Sequence, residues 1–370
     1  MPVIAYHMGF SGIPGGFTGV DIFFVISGYL ICGIIYAGAV RNTFSYLEFY
    51  KRRCLRILPP LFVVLFATLA FGYYHLLPVR FKDLSNSALA ALLFSTNIFF
   101  WKTTGYFAGP AELKPLLHIW SLAVEEQSYI VFPVILLFVV RFFRTRAMQV
   151  MLLIILISLF FSIWAATRKP TFTFYMLPTR AWELSLGGLV AVGGLEAKMV
   201  RVSQGVKHVM SLSGLAFIVL GFLWLDTTKP FPAWNAIWPC LGSFLIILAG
   251  QQAVVSRVLA LKPVVYTGLI SYCLYLWHWP IIVYSRMFFN FAPGIREGVI
   301  IGLTFSLAVA SRYLIESPFR YRLAVLFPTS IFTASVAGLV LMAAGTLYKG
   351  HASNNAGNFS AEALALAKYS

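Results

Sequence analysis

The sequence predicts an all-α polytopic membrane protein with a core of ten helices, the first of them truncated, and an eleventh transmembrane helix. Of its 370 residues, 60% are hydrophobic and 11% are charged, whereas a soluble domain has about 25% charged residues. The mean hydropathy is +0.83. Apolar runs at 58–77 and 148–166 are each about 20 residues long, enough for a helix to cross roughly 30 Å of hydrocarbon. These features exclude a water-soluble fold.

Basic loops fix the predicted topology, because lysine and arginine mark the cytoplasmic ends of membrane spans. The densest group, Lys51-Arg52-Arg53, follows the second helix, so the glycine-rich turn at 9–16 before that helix is predicted outside. The remaining basic groups fall in the cytoplasm only if 85–101 does not cross the membrane, and we predict a re-entrant or interfacial segment there. The first helix, confined to the residues before Gly9, then starts in the cytoplasm, and the tail ends outside.

The predicted organisation has three parts: a transmembrane domain at 1–322, an additional transmembrane helix at 323–348 and an external linker or tail at 349–370. The net charge of +16 is spread over short loops, which favours topology signals and contacts with lipid headgroups over a nucleic-acid partner. The four cysteines are scattered without the spacing of a metal site. The sequence therefore predicts no disulfide and no metal.

Polar residues inside the predicted spans indicate the functional site, because a charged side chain at membrane depth costs at least about 2.5 kcal/mol on insertion scales. Asp21 opens the second span, and three further helices carry polar stripes at helical spacing. We predict that the stripes face one another around a water-accessible cavity. They consist of His118, Ser121 and Glu125, with Trp120 and Glu126 beside them, then Arg180, Glu183 and Gly187, and then Ser271, Tyr275 and His278.

These polar residues also have purely structural interpretations. Arg180 and Glu183 fit a structural ion pair. Glu125 or Glu126 fits a hydrogen bond that holds two helices together. His278, which stands between two tryptophans, fits an anchor at the membrane interface. The spacing alone leaves these alternatives open.

His7 is the candidate general base. It lies at the predicted external end of the first helix, and a histidine with a near-neutral pKa suits removal of a proton from a hydroxyl that attacks a thioester. A lone histidine is more often a satisfied polar residue, and that interpretation stays open. The rival function from another class is a multi-pass transporter of a small solute or glycan precursor, because buried charges also form transport pathways.

Six strings in the chain together resemble acyltransferase family 3, the membrane O-acetyltransferases of bacterial surface glycans. In order they are Gly16–Leu30, Arg52–Pro59, His118–Gln127, Arg180–Leu184, Ser271–Pro280 and Ile315–Arg320. The resemblance covers residues 1 to about 322. It implies transfer of an acetyl group from cytoplasmic acetyl-CoA to a hydroxyl of an exported glycan, such as lipopolysaccharide O-antigen, peptidoglycan or exopolysaccharide. It also implies a location in the bacterial inner membrane.

The resemblance implies roles for individual residues. His7 matches the catalytic histidine of the family, and Glu183 matches its Arg-x-x-Glu element, which would orient or charge-balance that histidine. Arg52, Arg53 and Arg56 match its basic motif beside the cytoplasmic mouth. A CoA phosphate is the expected partner there, because guanidinium groups bind phosphate oxygens in a bidentate fashion.

The expected mechanism is direct transfer across the bilayer, with Ser121, Tyr272 or Arg180 stabilising the developing oxyanion. A covalent acyl-histidine relay is the alternative. In the family a basic residue stands eleven positions before the histidine, whereas six residues precede His7, so we expect a truncated first helix. The eleventh helix and the tail resemble members with a fused periplasmic esterase-like (SGNH) domain, and a fused or separate SGNH domain is therefore an expected partner.

Overall fold

The computed structural model describes residues 1–104, 111–292 and 294–322 together with Gly338, and within these residues it contains helices and no strand. The predicted all-α class is confirmed. The helices are α1 (Pro2–His7), α2 (Gly19–Val40), α3 (Tyr46–His75), α4 (Pro78–Leu92), α5 (Thr96–Thr103), α6 (Trp120–Phe143), α7 (Ala147–Ala166), α8 (Pro170–Tyr175), α9 (Leu177–Val192), α10 (Leu195–Met199), α11 (Gln204–Trp224), α12 (Ile237–Ala249), α13 (Val254–Leu259), α14 (Lys262–Phe288) and α15 (Ile295–Ala310).

Six helical stretches of the described chain are long and apolar enough to cross a membrane. They are Gly16–Val40, Tyr46–His75, Leu117–Phe143, Ala147–Ala166, Gln204–Trp224 and Ile295–Tyr321. With α1, α9, α12 and α14 they occupy the positions where the sequence predicts the core helices. The predicted eleventh helix at 323–348 and the tail at 349–370 lie outside the described residues, apart from Gly338.

The segment 85–101, predicted not to cross the membrane, is divided between two short helices. Helix α4 ends at Leu92 and α5 begins at Thr96. Phe94 between them has a φ of +48°, a left-handed backbone conformation that interrupts a right-handed helix. That this segment does not cross the membrane stays a prediction.

The chain divides into two compact units, and the first comprises Met1–Ser45 and Val124–Gly268. In this unit α2 packs directly on α9. A Cβ atom added to Gly28 would lie 1.8 Å from the carbonyl oxygen of Leu184, and one added to Gly187 would lie 1.8 Å from that of Val25. Small residues that allow such backbone contact are typical of helix pairs in membranes.

The second unit comprises Tyr46–Ala123 and the described residues from Leu269 onward. Two tyrosines of α14 join that helix to α3: the Tyr272 hydroxyl donates to the carbonyl of Ile57 at 2.8 Å, and the Tyr284 hydroxyl donates to that of Thr68 at 2.7 Å. After Ala310 the chain continues as π-helix, over Ser311–Glu316 and Pro318–Arg322. Both π-helical segments pack against α3.

Candidate functional site

A buried cluster of three charged residues lies between α2 and α9 in the first unit. Arg180 forms ion pairs with Asp21 and, at 2.8 Å, with Glu183, while its Nε donates to the carbonyl of Phe174 at 3.1 Å. The side chain of Arg180 is 1% exposed. Asp21 stands in the first turn of α2, where the helix dipole favours a negative charge. The predicted Arg180–Glu183 ion pair is present, and Asp21 extends it to a second helix.

The cluster holds two carboxylates for one guanidinium. The outer oxygens, Oδ2 of Asp21 and Oε2 of Glu183, have no hydrogen-bond partner among the described residues, and both carboxyl groups pair with the same atom, Nη1 of Arg180. Buried unpaired charge is costly. The arrangement therefore either carries a net negative charge or holds a proton between the two carboxyl groups, which suits a site that handles protons.

Aromatic rings surround the guanidinium of Arg180. Its central carbon lies 5.3 Å from the ring centroids of Phe174 and Phe231 and 6.0 Å from that of Phe24. Phe231 comes from the loop between α11 and α12. Sequence analysis missed Phe231, because no local pattern indicates that a loop phenylalanine packs over an arginine about 50 positions away.

Hydrogen bonds within the same loop fix its start. The Oδ1 atom of Asp226 accepts from the backbone N–H of Thr228 at 2.8 Å and from its hydroxyl. These bonds, with the charge of Lys229, hold the pKa of the Asp226 carboxyl below its usual range. Farther along, the Asn235 side chain donates to the carbonyl of Pro230 at 2.7 Å. These hydrogen bonds thus restrain both ends of the loop that carries Phe231.

His7 ends α1, which packs against the turn before α2. A Cβ atom on Gly16 would lie 2.6 Å from the carbonyl oxygen of Pro2, so only glycine allows this approach. The Tyr6 ring lies 5.4 Å from the His7 ring and 5.3 Å from the Phe17 ring. Phe17 in turn lies 4.9 Å from Phe231, which covers Arg180. A row of three rings, Tyr6, Phe17 and Phe231, therefore links the half-buried His7 to the guanidinium of Arg180.

Glu125 joins α6 to α2 through hydrogen bonds. Its Oε1 atom accepts from the hydroxyls of Ser27 and Tyr129, which are also 2.8 Å from each other. The interhelical hydrogen bond that the sequence allows for Glu125 is therefore present. Of its neighbours on α6, Glu126 is half-buried and Trp120 is buried. Sequence analysis did not single out Ser27 or Tyr129, although Tyr129 stands four residues after Glu125, on the same helix face.

A second polar cluster lies in the second unit around His118 and His278. Their ring centroids are 5.3 Å apart, and the Tyr275 hydroxyl donates to the carbonyl of His118. Ser121 completes the cluster, with its hydroxyl 2.6 Å from that of Tyr275. His278 is 0% exposed, so the interfacial-anchor interpretation is wrong. Ser271, predicted on the same stripe, is exposed.

The structure modifies the predicted stripe on α6. His118 lies in the 3₁₀ turn Leu117–Ile119, and the α-helix begins only at Trp120. The Nε2 atom of His118 is 3.2 Å from the carbonyl of Leu276. His118 is therefore not in the α-helix that the stripe assumes, but Tyr275 of α14 contacts both His118 and Ser121 and keeps them together. That the stripes of all three helices share one cavity stays a prediction.

Arg52, Arg53 and Arg56 lie near the start of α3. Arg52 is 77% exposed and pairs with Glu48 at 2.8 Å. Arg53 lies 5.8 Å from the ring centroid of Phe49, and Arg56 is half-buried. Guanidinium groups one, three and four residues apart near one helix end fit a multiply charged anion such as a phosphate.

Cys32, Cys240 and Cys273 are buried and Cys54 is exposed, all as free thiols. Within the described parts of the chain, no three His, Cys, Asp or Glu side chains are grouped so that they could hold a metal ion.

Comparison with known proteins identifies the family. The model of the family described as "Acyltransferase domain" matches residues 3–347. The chain is 30% identical over 335 residues to the peptidoglycan O-acetyltransferase OatA of Listeria monocytogenes and to the O-acetyltransferase OatA of Staphylococcus aureus, and over 342 residues to the putative peptidoglycan O-acetyltransferase YrhL of Bacillus subtilis. Each alignment covers 86% of this chain and 53%, 55% and 53% of the respective relative.

The chain thus spans about half the length of these curated relatives. No solved structure shows significant similarity to it. The family match covers nearly the whole chain, and the residues of the six strings that carry the resemblance lie within it. The protein therefore belongs to acyltransferase family 3 and is a multi-pass membrane protein.

Proposed function

We propose that the protein transfers an acetyl group from cytoplasmic acetyl-CoA to a hydroxyl of an exported glycan, with His7 as general base. The observation that carries the proposal is the row of ring contacts that links His7 to Arg180 of the buried Asp21–Arg180–Glu183 cluster. The O-acetyltransferase names of the three relatives support the reaction type. Family membership favours this enzyme over the transporter that the sequence also allows.

Peptidoglycan is the first acceptor to test. Two of the three relatives are named for peptidoglycan O-acetylation, and this favours it over the other glycans that the resemblance implies. We place the protein in the bacterial cytoplasmic (inner) membrane, with its N-terminus inside, as the basic loops predict. The SGNH partner stays a prediction.

The arginines of α3 are proposed to hold the donor. Bound acetyl-CoA would supply the acetyl group in activated form, as a thioester. Arg52, Arg53 and Arg56 lie within about one turn of α3 and are proposed to bind the phosphates together, although Arg52 also pairs with Glu48. Their guanidinium groups bind phosphate oxygens in the bidentate geometry that a lysine does not provide.

His7 would remove the proton of the acceptor hydroxyl. The carboxyl groups of Asp21 and Glu183 have an outer oxygen each for a shared proton, and Arg180 holds both in place. Glu183 is therefore proposed to charge-balance His7 once the histidine is protonated. Such positioned general bases contribute about 10²–10⁴-fold to a rate.

The three candidates for oxyanion stabilisation already have partners. The Tyr272 hydroxyl donates to Ile57, the Ser121 hydroxyl bonds Tyr275, and Arg180 binds its two carboxylates. Tyr272 and Ser121 would each have to exchange a partner in order to stabilise negative charge on a reacting carbonyl oxygen. Arg180 is the strongest of the three, because its charge acts without a change of partner.

The test compares His7→Ala with His75→Ala in membranes that contain the full chain. His75 is an exposed histidine that stacks on Phe71 at 4.1 Å and provides a matched control. Membranes receive acetyl-CoA with a labelled acetyl group and purified peptidoglycan. We expect label in alkali-labile esters of the glycan, unchanged in His75→Ala and reduced at least about 100-fold in His7→Ala. Label that remains on CoA with the unaltered protein would overturn the proposal, and full transfer by His7→Ala would remove the histidine from the reaction.

A further inference from the structure

A short π-helical stretch follows α15 and holds buried charge. Ser311–Glu316 forms the first segment, with Ser311, Arg312 and Glu316 buried. The indole N–H of Trp277 donates to the Ser311 hydroxyl at 2.8 Å and fixes the segment to α14. π-helical geometry in short stretches is frequent at functional sites. The buried charges in this π-helical stretch are therefore a candidate binding site.

Glu316 is the centre of this cluster and both of its oxygens are engaged. Its Oε1 atom forms an ion pair with Arg312 and lies 3.8 Å from Nη1 of Arg320. Its Oε2 atom accepts from the thiol of Cys273 at 3.6 Å. One carboxylate is therefore shared by two guanidinium groups and a thiol, and it neutralises one of the two positive charges.

Helix α3 adds a third arginine. The Tyr272–Ile57 hydrogen bond sets α14 beside α3 one residue after Arg56, and both π-helical segments pack on α3. Tyr272 and its neighbour Cys273 thus link Ile57 of α3 and Glu316 to adjacent positions of α14, which brings the turn of α3 that carries Arg56 close to the Glu316 cluster. Arg56, Arg312 and Arg320 against Glu316 leave this cluster with a net charge of about +2.

A topology signal or a structural ion pair does not account for this arrangement. The positive-inside rule explains basic residues in solvated loops, whereas the side chain of Arg312 is 10% exposed. Two guanidinium groups share the Glu316 carboxylate, so the ion pairs alone leave an excess positive charge. With Arg56 on the adjoining turn of α3, this excess matches an anion with several charged oxygens, for which arginine is the preferred ligand.

We propose that Arg312 and Arg320 complete, with Arg56, a binding site for the phosphates of the donor nucleotide, and that Glu316 positions both arginines. The inference rests on the proposed function, because it identifies further ligands of the same donor. The ion pair with the buried Glu316 carboxylate holds Arg312 in place. The side chain of Arg320 is 37% exposed, so it is accessible to a nucleotide that arrives from solvent.

The test measures binding rather than turnover. The full chain is purified in detergent, and dissociation constants are measured for CoA, 3′-dephospho-CoA and pantetheine with the unaltered protein, Arg320→Gln and Arg201→Gln. Arg201 is an exposed arginine on a loop of the first unit, predicted on the same side of the membrane. We expect Arg320→Gln to weaken CoA binding about tenfold, to leave pantetheine binding unchanged and to match Arg201→Gln in folded yield.

Two further arms separate the possible outcomes. The double variant Arg312→Gln/Glu316→Gln removes the ion pair as a unit, so that no buried charge is left alone, and we expect it to lose CoA affinity as well. Added phosphatidylglycerol should not compete with CoA, since competition would assign the cluster to a lipid headgroup. CoA affinity in Arg320→Gln within about twofold of the unaltered protein overturns this inference alone. Absence of CoA binding by the unaltered protein overturns the proposed donor as well.

Discussion

Replacing Arg180 should destabilise the protein more than replacing either carboxylate. Arg180→Gln leaves Asp21 and Glu183 facing each other in a buried site with no cation, and breaking a buried ion pair in this way costs about 3–5 kcal/mol. Asp21→Asn leaves one guanidinium with one carboxylate and turns one charge-assisted hydrogen bond into a neutral one, which costs about 1 kcal/mol. Arg180→Gln should cost more than Asp21→Asn because the cluster contains two carboxylates and one guanidinium group.

The assay is thermal unfolding of the full chain in detergent. For a unit of 150–250 residues, 1 kcal/mol corresponds to roughly 2–4 °C in Tm. We therefore expect Arg180→Gln to lower Tm by on the order of 10 °C and Asp21→Asn by about 3 °C. Arg168→Gln, at an exposed arginine that stacks on Trp164, serves as the control and should change Tm little.

A charge-free variant separates electrostatics from packing. Arg180→Gln/Asp21→Asn/Glu183→Gln keeps the size of the two acidic side chains, shortens residue 180 as Arg180→Gln alone does, and removes every charge; neutral replacement of a buried ionic cluster is often tolerated. We expect it to regain most of the stability lost in Arg180→Gln. Equal losses in Asp21→Asn and Arg180→Gln, or no recovery in the triple variant, would refute the argument from charge balance.

Three further predictions test the packing of the first unit by the same assay. Gly28→Ala should destabilise by about 1–3 kcal/mol, because the added Cβ atom meets a carbonyl oxygen of α9 at 1.8 Å, whereas Gly298→Ala, with nothing within 4 Å, should be neutral or stabilising. Glu125→Ala should cost about 1–3 kcal/mol by removing the acceptor of two buried hydroxyls, and Glu125→Gln, which keeps an acceptor oxygen, clearly less. Phe231→Ala should cost about 1–2 kcal/mol through the loss of a cation–π contact, and the exposed Phe289→Ala should cost almost nothing. Reversed order within any of the three pairs would contradict its contact.

The positions of the helices follow closely from the sequence. The apolar run at 148–166 corresponds to α7 (Ala147–Ala166), and the stump before Gly9 corresponds to α1 (Pro2–His7). Hydropathy and glycine determine these limits locally, because a span needs a run of apolar residues of fixed length. The count of basic loops predicts that segment 85–101 does not span the membrane. The break at Phe94 within this segment is a left-handed backbone conformation.

The contacts within the clusters are less visible in the sequence. The i, i+3 spacing predicts the Arg180–Glu183 pair, because both residues stand on one helix. No such rule relates Asp21 or Phe231 to Arg180, since those contacts depend on the packing of α2 and of a distant loop. The 3₁₀ turn at His118 was missed because the apolar residues around it suit a helix of either pitch.

The contacts of the π-helical segment are likewise not visible in the sequence. The string Ile315–Arg320 contributes to the family resemblance, but its letters do not show that Glu316 is shared by two arginines and a thiol. In an ordinary α-helix Arg312 and Glu316 would already be neighbours at i, i+4. The turn of α3 that carries Arg56 approaches this segment through packing that becomes apparent only in three dimensions.

The two charged clusters differ in the sign of their net charge. This difference fits the two requirements of the proposed acetyl transfer, which are binding of the donor and removal of a proton from the acceptor. The cluster of Asp21, Arg180 and Glu183 has more carboxylates than guanidinium groups, so it favours a bound proton or a protonated histidine. The cluster around Glu316 has more guanidinium groups than carboxylates, so it favours a phosphate. A donor that carries phosphates and an acceptor that must lose a proton require these two electrostatic environments. A transporter of a neutral solute would require neither, and this asymmetry is the physical reason to test the chain first as an enzyme.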